Sequence, residues 1–368
     1  MKAHNMTTPY CPTPPEHSPA TILVTGASGY LASWIVLQLL QQGHHVHGTV
    51  RSLQDAAKMQ HLQEISTRHP DRLRLFEADL MQEGSFDAAM QGCGLVLHAA
   101  SPYFLNLPKD AQRELVQPAV QGTRNVLASV NRCKSVRRVV LTSSIAALYN
   151  DARDVGADVQ HTVQEGDTNP NQHVSHNPYA YSKTQAEQAA WAMHRQQQRW
   201  ELVSIHPGAI FGPSLSRRVD ASSVAMVVQF LQGAFRTGVP RLWLGVVDVR
   251  DVAKAHVRAA LLPTASGRYL VVAHSLRLLE MAQCMQLHGL CITDKLPRNE
   301  APKWLMWLIG PLVGLRRKYI ARNVGYPLYF NSARSQAELG LQWHTAADTF
   351  NDQIRQIVDD GLLQPRTA

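Results

Sequence analysis

Residues 24–52 read VTGASGYLASWIVLQLLQQGHHVHGTVRS: a short apolar run, a glycine turn, a helix-compatible stretch, and a second apolar run ending in arginine. Each part of that order constrains the next. Residues 22–25 are short and β-branched, as a first strand buried in a parallel sheet should be. Gly26 frees the chain to turn sharply out of the strand. Gly29 lets the backbone approach an anion with no side chain in the way, and Ala32 stands where helix and strand must pack closely. A helix over residues 30–41 would aim unpaired amide hydrogens, at the level of Ser28, Tyr30 and Leu31, at a pyrophosphate. Gly43 then ends the helix, and residues 45–50 supply a second strand. The glycines alone need only shape a strand–helix–strand unit; the whole order points to a bound dinucleotide.

Arg51, at the end of the second strand, bears on which dinucleotide. A carboxylate there would accept hydrogen bonds from an adenosine ribose and repel a phosphate on it. Arginine does the reverse, offering a planar fork of donors to a 2′-phosphate, with Ser52 and Lys58 nearby to add a hydroxyl and a second charge. NADPH is therefore expected over NADH, against the plainer reading of Arg51 and Lys58 as a solvated face.

At 368 residues and 45% hydrophobic, the chain can bury a sizeable core as two domains or one large α/β unit. The first 20 residues contain five prolines and no periodicity, and are expected to be a disordered lead-in. That lead-in lacks the long apolar stretch of a signal peptide, and nothing later approaches the length of a transmembrane helix. The cysteines Cys11, Cys93, Cys133, Cys284 and Cys291 are odd in number and scattered, suggesting neither a disulfide framework nor a metal site, so a cytoplasmic location is expected. The net charge of +8 helps attract an anionic cofactor, but its cations are dispersed, so no nucleic-acid partner is expected. Seventeen histidines show no metal-ligand spacing, and no metal is inferred.

Strand and helix signals alternate through the first half: a helix over 55–68, a strand over 73–77, a short helix over 85–90 and a strand over 94–99. Asp79, followed by Leu80, could accept from an adenine amino group or cap a helix. The small residues Ala99 and Ala100 would let a cofactor lie against a strand end. A helix over 114–131 leads to a strand over 136–142, which ends in Ser143 and Ser144. Ligands of such folds bind outside the carboxyl ends of the strands, so those serines stand in a telling place, although capping or a plain turn competes as their role.

Tyr179 and Lys183, four apart at the opening of a helix, share a face; Tyr181 looks away from Lys183. A cation beside a phenol shifts its pKa down from about 10 toward working pH. A tyrosine so tuned can give a proton to a carbonyl oxygen or take one from an alcohol, while a serine hydroxyl polarises that oxygen. After a strand over 202–205, HPGAIFGP at 206–213 would form a shaped loop whose Pro207 and Gly208 leave backbone groups free for a nicotinamide carboxamide. VVDVRDVAKAH at 246–256 mixes a short strand with a helix start, with Asp248 and Asp251 as turn and cap residues. In the last hundred residues the alternation breaks. WLMWLIGPLVGL at 304–315 is too short to span a bilayer and reads as core, as part of an apolar substrate pocket, or as an interfacial patch aided by Arg316, Arg317 and Lys318. Phe350, Ile354, Ile357 and Val358 mark an amphipathic closing helix.

With VTGASGYLASW, TVRS, Asp79-Leu80, VVLTSS, YAYSKTQAEQAAW, HPGAIFGP and VDVRDVAKAH in view, residues 21–360 resemble the extended short-chain dehydrogenase/reductases, within them the dihydroflavonol reductase-like group. The resemblance implies an α/β fold: a Rossmann-type doubly wound parallel sheet over 21–205 carrying the catalytic residues. A smaller, mainly substrate-binding C-terminal region would span 206–368, with residues 245–262 returning to the first domain. It implies Ser144, Tyr179 and Lys183 as the catalytic set, Gly26 and Gly29 at the phosphates, and Arg51 and Lys58 at the 2′-phosphate. Ala32 replaces the family's third glycine, and no role is carried over to Asp248.

The activity expected is NADPH-dependent reduction of an aldehyde or ketone, apolar or aromatic, by a monomer or homodimer. Two enzymatic rivals share most of these residues: a nucleotide-sugar epimerase or dehydratase, against which Arg51 argues, and a hydroxysteroid-type dehydrogenase/isomerase. A non-catalytic dinucleotide sensor is a third, for which a degraded Ser-Tyr-Lys set would be expected.

Overall fold

The computed structural model describes residues 18–101, 110–155, 162–169, 173–218, 222–285 and 293–363. Residues 1–17 of the expected lead-in, with Cys11 and Cys291, lie outside the described residues. The first half alternates strand and helix: β1 (Thr21–Thr25), α1 (Tyr30–Gln41), β2 (His45–Val50), α2 (Ala56–Arg68), β3 (Leu73–Glu77), α3 (Asp87–Met90), β4 (Leu95–His98), α4 (Gln117–Arg132) and β5 (Arg138–Thr142). The short α5 (Ala152–Val155), then α6 (Pro178–His194) and β6 (Glu201–Pro207), complete it. Beyond come β7 (Ala209–Phe211), α7 (Ser222–Gln232), β8 (Val239–Pro240), β9 (Trp243–Asp248), α8 (Val249–Leu261), β10 (Gly267–Val271), β11 (His274–Arg277) and α9 (Leu278–Cys284). The chain closes with β12 (Glu300–Ala301), α10 (Lys303–Ile309), α11 (Arg317–Asn323), α12 (Ala333–Leu339) and α13 (Ala346–Asp359).

Seven parallel strands form the main sheet in the order β10-β6-β5-β4-β1-β2-β3. The order reverses between β1 and β4, which opens a crevice at their carboxyl ends. Both faces of the sheet are covered, so its strands are apolar on both sides. Ile22 and Val24 join a core with Ile35, Val36 and Leu39 of α1 and Val252 and Val257 of α8. Leu23, between them, points the other way, into a core with Val126 and Val130 of α4 and Trp200. The doubly wound Rossmann-type architecture implied by the resemblance is present.

Differences from the expected boundaries have local causes. The helix expected over 114–131 begins as a π-helical turn, Gln112–Val116, before α4. Pro118 lacks the N–H that a regular first turn would continue through, and the wider turn absorbs the gap. Two segments after residue 206 rejoin the main sheet layer: α8 packs on α1, and β10 pairs with β6. The β10 strand was not foreseen. It is short and carries Arg268, whose side chain runs to a buried carboxylate on α6. The expected loop at 206–213 is mostly strand, because β7 pairs with β9, which also pairs with β11, in a second, three-stranded sheet. That sheet shares a core with α7, α9 and α13, centred on Phe211, Phe230, Phe350 and Ile354. Tyr30 and Trp34 of α1 join the two cores by donating to the carbonyls of Gly212 (2.6 Å) and Pro213 (2.8 Å).

Candidate active site

The glycine turn leaves β1 with Gly26 at φ +67, a left-handed conformation that glycine adopts without strain. A Cβ at this position would lie 3.1 Å from the Cα and Cβ of Ala100, so the turn and the end of β4 require small residues facing each other. Ala99 and Ala100 are half-buried, and the Ala100 amide donates to Thr25 Oγ1 at 3.0 Å. Gly29 closes the turn onto the Gly26 carbonyl (2.8 Å) and is the N-cap of α1 without any side-chain cap. The first-turn amides of α1 thus have no capping side chain, an arrangement that suits a phosphate. The Tyr30 hydroxyl, by contrast, serves the fold: burial, and then Asp248, push its pKa well up while it holds the Gly212 carbonyl.

Arg51 is exposed and forms no hydrogen bond or ion pair among the described residues. Lys58 is not equally available: its ammonium lies 2.5 Å from Asp55 Oδ2, and Asp55 also caps α2. Asp79 is committed to a turn, accepting from the Met81 amide at 2.8 Å, while Ser85 donates to its carbonyl at 2.7 Å. Leu80 packs over Gly122, and its carbonyl accepts from Asn125 at 2.7 Å.

At the carboxyl ends of β5 and β6 a cavity of about 710 Å³ opens. Ser28, Gly29, Tyr30 and Leu31 line one side; Ser144, Tyr179, Lys183, Pro207 and Gly208 line the other. Leu80, Ala100 and Lys183 border a smaller adjoining hollow, while Gly26, Arg51, Lys58, Asp79 and Ala99 are not on the cavity wall. Gly208 has a structural reason to be glycine. A Cβ there would fall 2.5 Å from the Gly245 carbonyl oxygen, and its N–H already donates to Val271 at 3.1 Å. The expectation of a free Gly208 amide for a carboxamide is therefore corrected, because β6 and β10 use it.

Ser144 caps a turn of 3-10 helix, Ile145–Ala147, its hydroxyl accepting from the Ala146 amide at 3.2 Å. Tyr179 and Lys183 stand one turn apart on α6, which Asn177 caps and Pro178 begins. Removal from water raises the Tyr179 phenol above its ordinary pKa, and the facing Ser144 hydroxyl pulls against that rise. Lys183 does not lower the phenol as expected. Its Nζ lies 6.0 Å from the ring centroid and donates to Ser101 Oγ at 3.3 Å. Desolvation draws the ammonium itself down to about 8, partly opposed by Glu187.

Glu187, one turn beyond Lys183, is the site residue that sequence reasoning missed. It is 1% exposed. Its carboxylate accepts from Ser143 Oγ (2.7 Å), Arg268 Nε (2.7 Å) and Trp191 Nε1 (3.0 Å), with His206 Nε2 at 3.3 Å. Burial would raise its pKa, but His206, Arg268 and Ser143 outweigh burial and hold it well below the carboxylate range. The same His206 places Nδ1 3.1 Å from the Ser144 carbonyl, so Glu187 holds the backbone of Ser144 through His206. The spacing of Lys183 and Glu187 was a visible signal; Arg268 lies too far along the chain to have been linked to it.

A second buried carboxylate anchors the loop after Ser144. Asp151 lies 2.7 Å from His176 Nε2, just before Tyr179, and accepts from Arg322 (2.5 Å) and Asn323 (2.7 Å) of α11.

Comparison with known proteins follows the same lines. The family model described as "NAD dependent epimerase/dehydratase family" matches residues 22–273. The chain is 39% identical over 284 residues to cinnamoyl-CoA reductase CAD2 of Medicago truncatula, covering 74% of this chain and 84% of that protein. It is also 39% identical to cinnamoyl-CoA reductase 1 of Arabidopsis thaliana, over 95% of this chain and 92% of that one. Among solved structures it is similar to yeast methylglyoxal/isovaleraldehyde reductase Gre2 complexed with NADPH, with a TM-score of 0.78 and 26% identity over 93% of this chain and 100% of that one.

Proposed function

From a chain that belongs to the NAD dependent epimerase/dehydratase family, in its extended short-chain dehydrogenase/reductase form, we propose a reductase that uses NADPH to convert an aldehyde or ketone to the alcohol. The observation that carries this reading is the convergence of Ser144, Tyr179 and Lys183 on the same cavity as the uncapped N-terminus of α1. That N-terminus and the small turn beside it would hold the pyrophosphate, and the unpaired Arg51 fork the 2′-phosphate. NADPH, when bound, supplies the hydride.

The chain's own residues supply the rest. The Ser144 hydroxyl donates to the carbonyl oxygen and fixes its position. Tyr179 gives that oxygen its proton. A phenol held above its ordinary pKa stays protonated at neutral pH, which suits the reductive direction. Lys183, with a pKa of about 8, is mostly charged at neutral pH and would donate to the nicotinamide ribose of the bound cofactor. Leu115, Ile145, Phe211 and Met226 give the cavity an apolar wall, which fits an apolar or aromatic carbonyl compound better than a phosphorylated sugar.

The test is turnover of the purified full chain with NADPH and then NADH, against aliphatic aldehydes, aromatic aldehydes, ketones, dihydroflavonols and cinnamoyl-CoA. Tyr179→Phe should lower kcat by about 10²-fold or more while leaving NADPH affinity nearly intact. Near-normal turnover in that variant sinks the catalytic assignment, and firmly bound NAD after purification would favour epimerase chemistry instead.

A further inference from the structure

Helix α10 turns its apolar side outward. Trp304, Trp307, Leu308 and Ile309 are 70%, 47%, 58% and 36% exposed, while Met306 is buried with Ile320 and Val324. Positions 304, 307 and 308 fall at helical spacing and share one side of the helix. Single exposed apolar residues are ordinary on a protein surface; two tryptophans, a leucine and an isoleucine within six residues form a patch. None of them lines the cavity of the candidate active site.

The stretch of sequence that carries this patch has unpaired charge of a single sign. Between Glu300 and Glu338 the sequence has six lysines and arginines and no aspartate or glutamate. Two of these cations are neutralised from elsewhere or by the next acid: Arg322 pairs with Asp151 and Asp154, and Arg334 with Glu338. The other four, Lys303, Arg316, Arg317 and Lys318, are exposed and form no ion pair among the described residues. Two of them lie against aromatic rings instead. The Arg317 guanidinium lies 4.4 Å from the centroid of the Trp307 ring, and Lys303 Nζ lies 4.3 Å from that of Tyr326. Arg316 donates to the Ser175 carbonyl at 3.0 Å.

We propose that α10 and the basic turn at residues 316–318 form a docking surface for an anionic lipid bilayer. The helix would lie in the plane of the interface. Tryptophan favours the headgroup layer, where an apolar ring and a polar N–H are both accommodated, and long cationic side chains reach from there to lipid phosphates. Among the described residues no helix is long and apolar enough to cross a membrane, so the contact is peripheral. Charge decides between occupants. A second copy of the chain, docked through the same patch, would bring four unpaired cations against four. An anionic surface takes up all of them and covers the apolar side in one contact.

The experiment is co-sedimentation of the full chain with sucrose-loaded vesicles, made of phosphatidylcholine alone or of phosphatidylcholine with phosphatidylserine. Binding is expected to the mixed vesicles, to weaken with added salt, and to be lost in the double variant Trp304→Ala/Trp307→Ala. The triple variant Arg316→Gln/Arg317→Gln/Lys318→Gln should lower the partition coefficient about fivefold for each charge removed. Analytical ultracentrifugation and a melting curve on each variant separate loss of docking from loss of fold. Absence of binding to the mixed vesicles, equal binding to both vesicle types, or full binding by the double tryptophan variant overturns the proposal. So does a concentration-dependent dimer that the tryptophan variant dissolves, which would assign the patch to a second copy.

Discussion

Replacing Glu187 with glutamine asks whether the site is held by an ionised carboxylate or only by the shape of the side chain. Glutamine keeps the volume and one acceptor oxygen. Its amide nitrogen, however, turns a donor toward neighbours that themselves donate, the Ser143 hydroxyl and Trp191 and Arg268 N–H groups. Removing one partner of a buried ion pair costs about 3–5 kcal/mol. The Arg268 side chain is 25% exposed, so water recovers part of its charge, and the expected loss is about 2–4 kcal/mol. At about 2 °C per kcal/mol for a chain of this size, the melting temperature should fall by about 4–8 °C at pH 7.

The pH dependence of that loss carries a sign. The Glu187 carboxyl has a lower pKa in the fold than in the unfolded chain, where it lies near 4.3. Its contribution is therefore complete above about pH 5 and fades as the pH falls through the unfolded value toward the folded one. The gap in melting temperature between the native chain and Glu187→Gln should narrow between about pH 5 and pH 3. Circular dichroism melts across that range measure it. A gap under about 1 °C at pH 7, or one that stays constant down to pH 3, would refute the claim that charge holds this network.

Two further outcomes follow from the cofactor side and from Lys183. Arg51→Ala should raise the KM for NADPH about tenfold or more and leave that for NADH nearly unchanged, since a charge-assisted hydrogen bond contributes about 1.5–3 kcal/mol; steady-state kinetics with both cofactors check it, and a parallel loss with NADH contradicts the 2′-phosphate role. The Lys183 ammonium has a pKa of about 8 in the fold against an ordinary 10.5, so the unfolded chain holds the proton more tightly and stability rises with pH across that window. Lys183→Met should abolish turnover yet add about 1–2 kcal/mol at pH 7, an advantage that shrinks by pH 9.5; urea unfolding at the two pH values tests it, and equal stability of both proteins at pH 7 counts against the cost of burying the charge.

How far the sequence could be read depended on whether each feature is local. The elements Tyr30–Gln41, His45–Val50 and Leu73–Glu77 lie where periodicity and turn residues put them, because each is specified within its own window. The pairing of Tyr179 with Lys183 was legible for the same reason, being a helical spacing. The strand Gly267–Val271 was not: five residues with an arginine among them become a sheet strand only through pairing with Glu201–Pro207, which no local pattern states. Lys58 looked from its position like a second phosphate ligand, but Asp55, three residues back, holds its charge. Gly208 looked like a ligand loop, and the reason for its missing side chain is the Gly245 carbonyl, far along the chain. The phenol of Tyr179 was expected to be lowered by its lysine, which required a distance that the sequence does not contain.

The long-range features missed share a cause that bears on how the site is assembled. Asp151 lies between Ser144 and Tyr179 in the sequence, and Glu187 lies one helical turn beyond Lys183. Each takes its cation from much further along the chain, Glu187 from Arg268 and Asp151 from Arg322. Burial pushes the Asp151 carboxyl up, but Arg322, Asn323 and His176 outweigh burial and hold it below the usual range, as Arg268 and His206 help to do for Glu187. An unpaired buried carboxylate is costly enough to take up a proton or draw in water. The segment after Ser144 and the entry to α6, which carries Tyr179, are thus tied to α11, and Glu187 of α6 to β10. The motifs name the proposed reacting groups, whereas the buried carboxylates beside them are paired with two arginines that lie outside every motif. Aspartate-to-asparagine exchange at Asp151 should accordingly disturb kcat more than cofactor binding, because the loop it anchors begins at Ser144 and His176 leads directly into Tyr179. A variant with normal kcat and only a lowered melting temperature would show that this anchor serves stability without setting the geometry of the site.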